Sequence, residues 1–144
     1  MANNFISSKG KRKEAVARVR LYRDLKEILM MGEKTVKKGE IFVNGDLIEN
    51  YFRGIVSKAH YEEPFKITNT QGKYTVTAVV EGGGNKSQLD AFIHGVSRAL
   101  ASIDDKSKSI LKKKGFLTRD SRIRQRRKVG MGGKSRRKKQ SPKR

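Results

Sequence analysis

The sequence contains no cysteine, which excludes a disulfide framework, a thiolate metal site and a cysteine nucleophile, and leaves the fold to stand on its packing. No apolar run approaches the roughly 18 residues of a membrane-spanning helix. The opening stretch MANNFISSKGKRK lacks the apolar core of a secretory signal, so the chain reads as cytosolic. Histidine is scarce: His60 and His94 are the only two, and they fit neither a metal-ligand spacing nor a Ser-His-Asp arrangement. Asp90, His94 and Arg98 recur at intervals of four, the pattern of a polar cluster on an exposed helix face. No metal site, cofactor or catalytic residue follows from these residues.

Acids are the other shortage, 14 against 35 Lys and Arg, for a formal charge of +21. The imbalance is uneven. Met1 to Arg20 carries six bases and one acid, Leu21 to Leu111 thirteen and twelve, and Lys112 to Arg144 sixteen and one. A nearly neutral body with basic ends suits a folded scaffold that presents phosphate-binding arms, because uniform positive charge would repel itself in the compact state. Nucleic acid is the expected partner. A general nucleic-acid-binding or compaction protein is the alternative reading of the same composition.

The last 27 residues, Thr118 to Arg144, hold thirteen bases and the lone acid Asp120. Ile123, Val129 and Met131 follow neither a helical nor an alternating period, so this tail cannot bury enough apolar surface to offset its chain entropy. Fully extended, it spans about 90 Å at roughly 3.3 Å per residue. The preceding 117 residues have the size of one small domain with a single core.

Within residues 1–117, Phe5 to Ser8 predicts a short strand, followed by the basic knot Lys9, Gly10, Lys11, Arg12, Lys13. From Ala15 to Tyr22 the chain alternates, with Ala17, Val19 and Leu21 on one face and Arg18, Arg20 and Tyr22 on the other. The Arg pair serves either phosphate or a solvated face; the adjacent knot favours phosphate. Leu25, Ile28 and Leu29 suggest a helical turn or two, then Lys34 to Gly39 a solvated loop. Glu40 to Val43 reads as a strand. Asn44-Gly45 ordinarily signals a hairpin, but Leu47, Ile48, Tyr51 and Phe52 with an Asp46/Glu49 capping pair predict that it links directly to a short helix. A further turn over Ile55 to Tyr61 should end before Pro64. Phe65 to Asn69 and Lys73 to Glu81 then predict a hairpin about Gln71-Gly72.

Leu89, Phe92, Ile93, Val96, Leu100 and Ile103 fall in a stripe about 100° wide at helical pitch, which predicts a long helix covering the sheet. The flanking Ala91, Gly95, Ala99 and Ser102 leave room for close approach, expected of a second helix capped by Asp104 and stopped at Gly115. Phe116 and Leu117 would anchor the tail's root. Gly82-Gly83-Gly84-Asn85-Lys86-Ser87 fails as a Walker loop, since Asn85 and Val80 stand where glycines are needed. It reads first as a strand-to-helix turn and second as a backbone phosphate contact.

GKRKEAVARVRL from Gly10, IFVNGDLIENYF from Ile41, GGGNKSQLDAFIHGVSRAL from Gly82 and LKKKGFLTRDSR from Leu111, followed by the basic tail, together resemble the bacterial form of the universal small-subunit ribosomal protein nine family. The resemblance covers nearly the whole chain. It implies an α+β fold: a single two-layer domain over residues 1–117, with a mixed β-sheet and helices on one face, like the second domain of small-subunit ribosomal protein five. A long basic extended C-terminal tail, 118–144, follows it. A left-handed βαβ crossover, rare among folds, is also implied.

The resemblance further implies a noncatalytic ribosomal protein of the cytoplasm, not a homo-oligomer. It would lie among neighbouring head proteins, bind the 3′ (head) domain of small-subunit ribosomal RNA, and thread its tail toward peptidyl-site transfer RNA. Position by position it assigns Lys11, Arg12 and Lys13 to the knot, Arg119 and Arg122 to the tail's root, and Lys143 and Arg144 to the end beside transfer RNA. Arg18, Arg20, Arg124, Arg126, Arg127, Lys128, Arg136, Arg137, Lys138 and Lys139 complete the candidate ribosomal-RNA contacts. Two departures stand out: Pro142 separates Ser141 from Lys143 where the family commonly ends Ser-Lys-Arg, and the Asp24 to Lys38 segment is longer than the family's short turn.

Overall fold

Strand β1 (Phe5–Arg12) and strand β2 (Ala15–Tyr22) pair antiparallel around a two-residue turn, Lys13-Glu14, with Lys13 at φ 51°. The computed structural model describes residues 4–23, 29–31 and 34–133. The alternation of β2 is realised as expected: Ala15, Ala17, Val19 and Leu21 are fully buried, while Arg18 and Arg20 are exposed. β1 is longer than expected and carries the basic knot within it, because each knot residue through Arg12 finds a partner on β2.

Several sequence expectations fail in the next stretch. β3 (Leu29–Met31) and β4 (Lys34–Val36) form a small antiparallel sheet, where a helical turn and a solvated loop were expected; Val36 is buried there. The expected Leu25 and Ile28 turn falls outside the described residues. Asn44-Gly45 does close a hairpin, between β5 (Ile41–Val43) and β6 (Asp46–Leu47), and only then does helix α1 (Ile48–Tyr51) begin. Both turn residues lie at positive φ, 50° and 88°, the geometry that matches strand twist. The Asp46/Glu49 capping pair does not form, since the N-cap is Leu47.

Helix α2 (Ile55–Ile67) runs through Pro64 instead of ending before it. An interior proline costs about 3 kcal/mol, but Tyr61, Pro64 and Phe65 stand at i, i+3 and i+4 and are all buried. Their shared burial outweighs the lost hydrogen bond. Phe65 to Ile67 are therefore helical, and the hairpin about Gln71-Gly72 does not exist: β7 (Thr75–Glu81) pairs with β2 antiparallel and with β5 parallel.

The result is a mixed five-stranded sheet, ordered β1-β2-β7-β5-β6. Across one of its faces lies α3 (Asn85–Ala101), as its apolar stripe requires; α4 (Asp105–Lys113) follows, with the Asp104 carboxylate capping the Lys106 and Ser107 N–H groups. One hydrophobic cluster joins the inward residues of β2 and β7 to Phe52, Tyr61, Phe65, Phe92, Val96, Leu100 and Leu111. Helix α4 packs on α3 as expected, but two of the small residues of α3 serve a strand instead of a helix. Ala91 and Gly95 receive the backbone of β1 at Gly10, where any side chain would overlap the helix.

Candidate nucleic-acid interface

The two-residue period of a strand divides the basic knot. Lys9 and Lys11 lie on the same face as Arg18 and Arg20, with Lys9 directly opposite Arg18 and Lys11 opposite Val16. Gly10 and Arg12 lie on the other face, toward α3. All four outward bases are exposed, and the strands that carry them are held rigidly. The Ser8 hydroxyl donates to the Gly95 carbonyl at 2.7 Å, and Arg98 Nη1 donates to the Lys9 carbonyl at 2.6 Å.

On this open face Arg18 pairs with Glu81 at 2.7 Å, and the Arg20 guanidinium lies 5.2 Å from the centre of the Phe5 ring. The ion pair is well exposed, so it contributes little and leaves Arg18 free to exchange a carboxylate for a phosphate. The face thus offers a row of cations beside an exposed aromatic ring and the partly exposed Val79.

Arg12 has a different environment. Its guanidinium contacts Asp120 at 3.0 Å and Asp90 at 3.6 Å, and donates to the Arg122 carbonyl at 3.1 Å. Asp120 is in turn gripped by a fork from Arg122: Nε donates to both carboxylate oxygens, Nη2 to Oδ2 at 2.6 Å, and the backbone N–H to Oδ1. The Arg122 hydrogen bonds first, and the Arg12 charge after them, hold the Asp120 carboxyl far below the usual carboxylate range. Its negative charge is permanent at physiological pH.

His94 does not belong to an exposed Asp90–His94–Arg98 cluster. Asp90 turns to Arg12, Arg98 to the β1 backbone, and His94 is half-buried, accepting the Lys11 N–H at Nδ1 over 3.4 Å. Burial, then the Arg98 charge, pushes its imidazole down from the ordinary value, opposed by a hydrogen bond with the Leu117 backbone. Gly115 ends α4 at φ 80°, and Phe116 and Leu117 pack against the core as expected.

A cleft of about 720 Å³ lies where the parts meet, lined among others by Lys13, Gly83, Gly84, Lys86, Asp90 and Arg124. Gly82 and Gly83 take φ 73° and 63°, which confirms the strand-to-helix turn. The Ser87 hydroxyl closes it by accepting the Gly84 N–H. Beyond it Arg119, Arg122, Arg124, Arg126, Arg127 and Lys128 are exposed on chain without helix or strand. Arg136, Arg137, Lys138, Lys139, Lys143 and Arg144 lie outside the described residues. Lys9 belongs to the knot read as a candidate contact but is not among the residues assigned by the resemblance, and Lys86 was not singled out; for Lys9 the parity it shares with Lys11 was the available signal. Among the described residues no three metal-ligating side chains cluster, and no helix is long and apolar enough to cross a membrane.

Residues 10–144 match the family model described as ribosomal protein S9/S16. The chain is similar to the small ribosomal subunit protein uS9 of Maridesulfovibrio salexigens, at 41% identity over 133 residues that cover 92% of each chain. It is also similar to the small ribosomal subunit protein uS9 of Desulfotalea psychrophila, at 40% identity over 124 residues, 86% of this chain and 85% of the relative. The chain belongs to the ribosomal protein S9/S16 family, and is a structural, non-enzymatic constituent of the small ribosomal subunit that binds ribosomal RNA.

Proposed function

We propose that the chain binds the 3′ (head) domain of small-subunit ribosomal RNA through two basic surfaces, the open β1–β2 face and the tail, and that the tail's end reaches toward peptidyl-site transfer RNA. The observation that carries this reading is the segregation of charge: Lys9, Lys11, Arg18 and Arg20 share one exposed face, and the exposed bases from Arg119 to Lys128 share one arm. Mechanistically the protein positions RNA. Arg grips phosphate with a fixed fork and stacks on bases, whereas Lys supplies a mobile point charge. The Arg-rich root suits fixed contacts, and the mixed end of the tail suits adaptable ones. Neighbouring head proteins complete its surroundings, with one copy per subunit.

The test is the salt dependence of binding to a head-domain transcript. With six to ten phosphate contacts, affinity should fall by roughly 10³ to 10⁵ between 50 and 200 mM salt, and removing Arg119 to Arg144 should flatten the slope sharply. An unchanged slope in the truncated chain would assign the electrostatics to the body instead.

A further inference from the structure

We propose that Arg12 is a positioning residue that fixes the direction in which the tail leaves the body, by joining Asp90 on α3 to Asp120 and Arg122 on the tail, and that it is not itself a phosphate ligand. The proposal rests on the tail being an RNA-binding arm. Four bases of the knot region look equivalent in sequence, yet Arg12 alone points inward, with 17% of its side chain exposed. Its guanidinium is engaged by the Asp90 and Asp120 carboxylates and the Arg122 carbonyl. A guanidinium whose charge is already matched by two carboxylates from different elements has less to gain from an incoming phosphate than the bases around it that are unpaired among the described residues, although it borders the cleft.

Asp120 makes the complementary case. It is the one acid in Lys112 to Arg144, among sixteen bases, and a negative charge there opposes polyanion binding. Its position beneath Arg12 gives it a purpose that composition alone does not. The root is then held at two places: Phe116 and Leu117 on the core, and Asp120 with Arg122 on Arg12. One anchor would leave a swivel; two, a few residues apart, set a direction. An arm already aimed loses less conformational freedom when it meets RNA.

The absence of cysteine allows paired spin labels at Ser109→Cys and Gln125→Cys in the full chain. The free protein should give one narrow distance distribution, and both Arg12→Gln and Asp120→Asn should at least double its width. An unchanged width overturns the latch. Head-domain RNA provides the second readout. Asp120→Asn raises the net charge by one, so plain electrostatics predicts tighter binding, whereas a lost latch predicts binding weaker by about fivefold. Arg12→Gln should weaken binding with the salt slope intact; a slope lower by about 0.9 would mark Arg12 as a phosphate ligand. Tighter binding by Asp120→Asn, or that loss of slope, overturns the proposal. If the parent chain failed to bind head-domain RNA, the functional reading would fall while the width comparison still decided the latch.

Discussion

Gly10 of β1 and Gly95 of α3 face each other at a contact that admits no side chain on the strand. A Cβ on Gly10 would overlap the Ala91 carbonyl oxygen and the Gly95 nitrogen and lie 2.9 Å from the Gly95 Cα, whereas a Cβ on Gly95 would meet the Val19 Cγ2 methyl at 2.8 Å. Backbone cannot give way as a methyl can. Gly10→Ala should therefore destabilise the chain by about 3 kcal/mol, and Gly95→Ala by less. Urea midpoints of the two variants check the order; equal midpoints would mean that β1 is free to move off the helix.

Asn44 continues the sheet after β5 has ended. Its Oδ1 accepts the Val80 N–H at 2.8 Å and its Nδ2 donates to the Val80 carbonyl at 2.9 Å, while its own N–H bonds to Ala78. The side-chain amide thus takes the place of one more strand residue. Asn44→Ala leaves both Val80 groups unpaired and should cost about 2–3 kcal/mol. Asn44→Asp, which keeps the acceptor and loses the donor, should cost less. Thermal unfolding of the pair tests this, and a loss below 1 kcal/mol for the alanine variant would show water replacing the amide.

These two contacts mark the limit of what the sequence disclosed. β2, α3 and α4 were legible because their signals are local: strict alternation from Ala15, a helical stripe from Leu89, and a cap at Asp104 with a stop at Gly115. Pro64 misled because its usual effect is also local, and the burial of Tyr61 and Phe65 that overrides it belongs to the assembled core. Asn44-Gly45 carried two compatible signals, hairpin and helix entry, and both are realised in succession. The tail's charge was plain from composition. Which bases are already paired within the protein was not, since Arg12 meets its carboxylates at Asp90 and Asp120, far along the chain.

His94 predicts a pH response. Its folded pKa lies below the ordinary value of about 6.5, so the unfolded chain binds more protons in that range, and stability rises with pH there. The contribution is intact above about pH 6.5 and is lost as pH falls toward the folded pKa, where protonation of Nδ1 would also break its bond from the Lys11 N–H. Urea midpoints between pH 7.5 and 5.5 should decline, and His94→Gln should flatten the decline. A slope that survives the substitution would assign it to another group.

Lys143 and Arg144 carry only two of the chain's 35 Lys and Arg side chains, so under the proposed function deleting them should leave the protein's occupancy of its subunit intact. Transfer RNA at the peptidyl site should lose one or two exposed charge-assisted contacts, each worth about 1 kcal/mol. The dissociation rate of initiator transfer RNA from small subunits carrying the shortened chain should rise modestly. Full occupancy with an unchanged rate would reject the transfer-RNA role, and Pro142 next to the pair makes this comparison informative.

Competition binding tests most directly whether this chain is a specific head-domain ligand or a general polycation. The full chain bound to a head-domain ribosomal RNA transcript is challenged with duplex DNA at equal nucleotide concentration. The proposed recognition of RNA shape by the β1–β2 face and the tail would add to charge, so the transcript should retain the protein. Displacement by the duplex at that ratio would contradict the account.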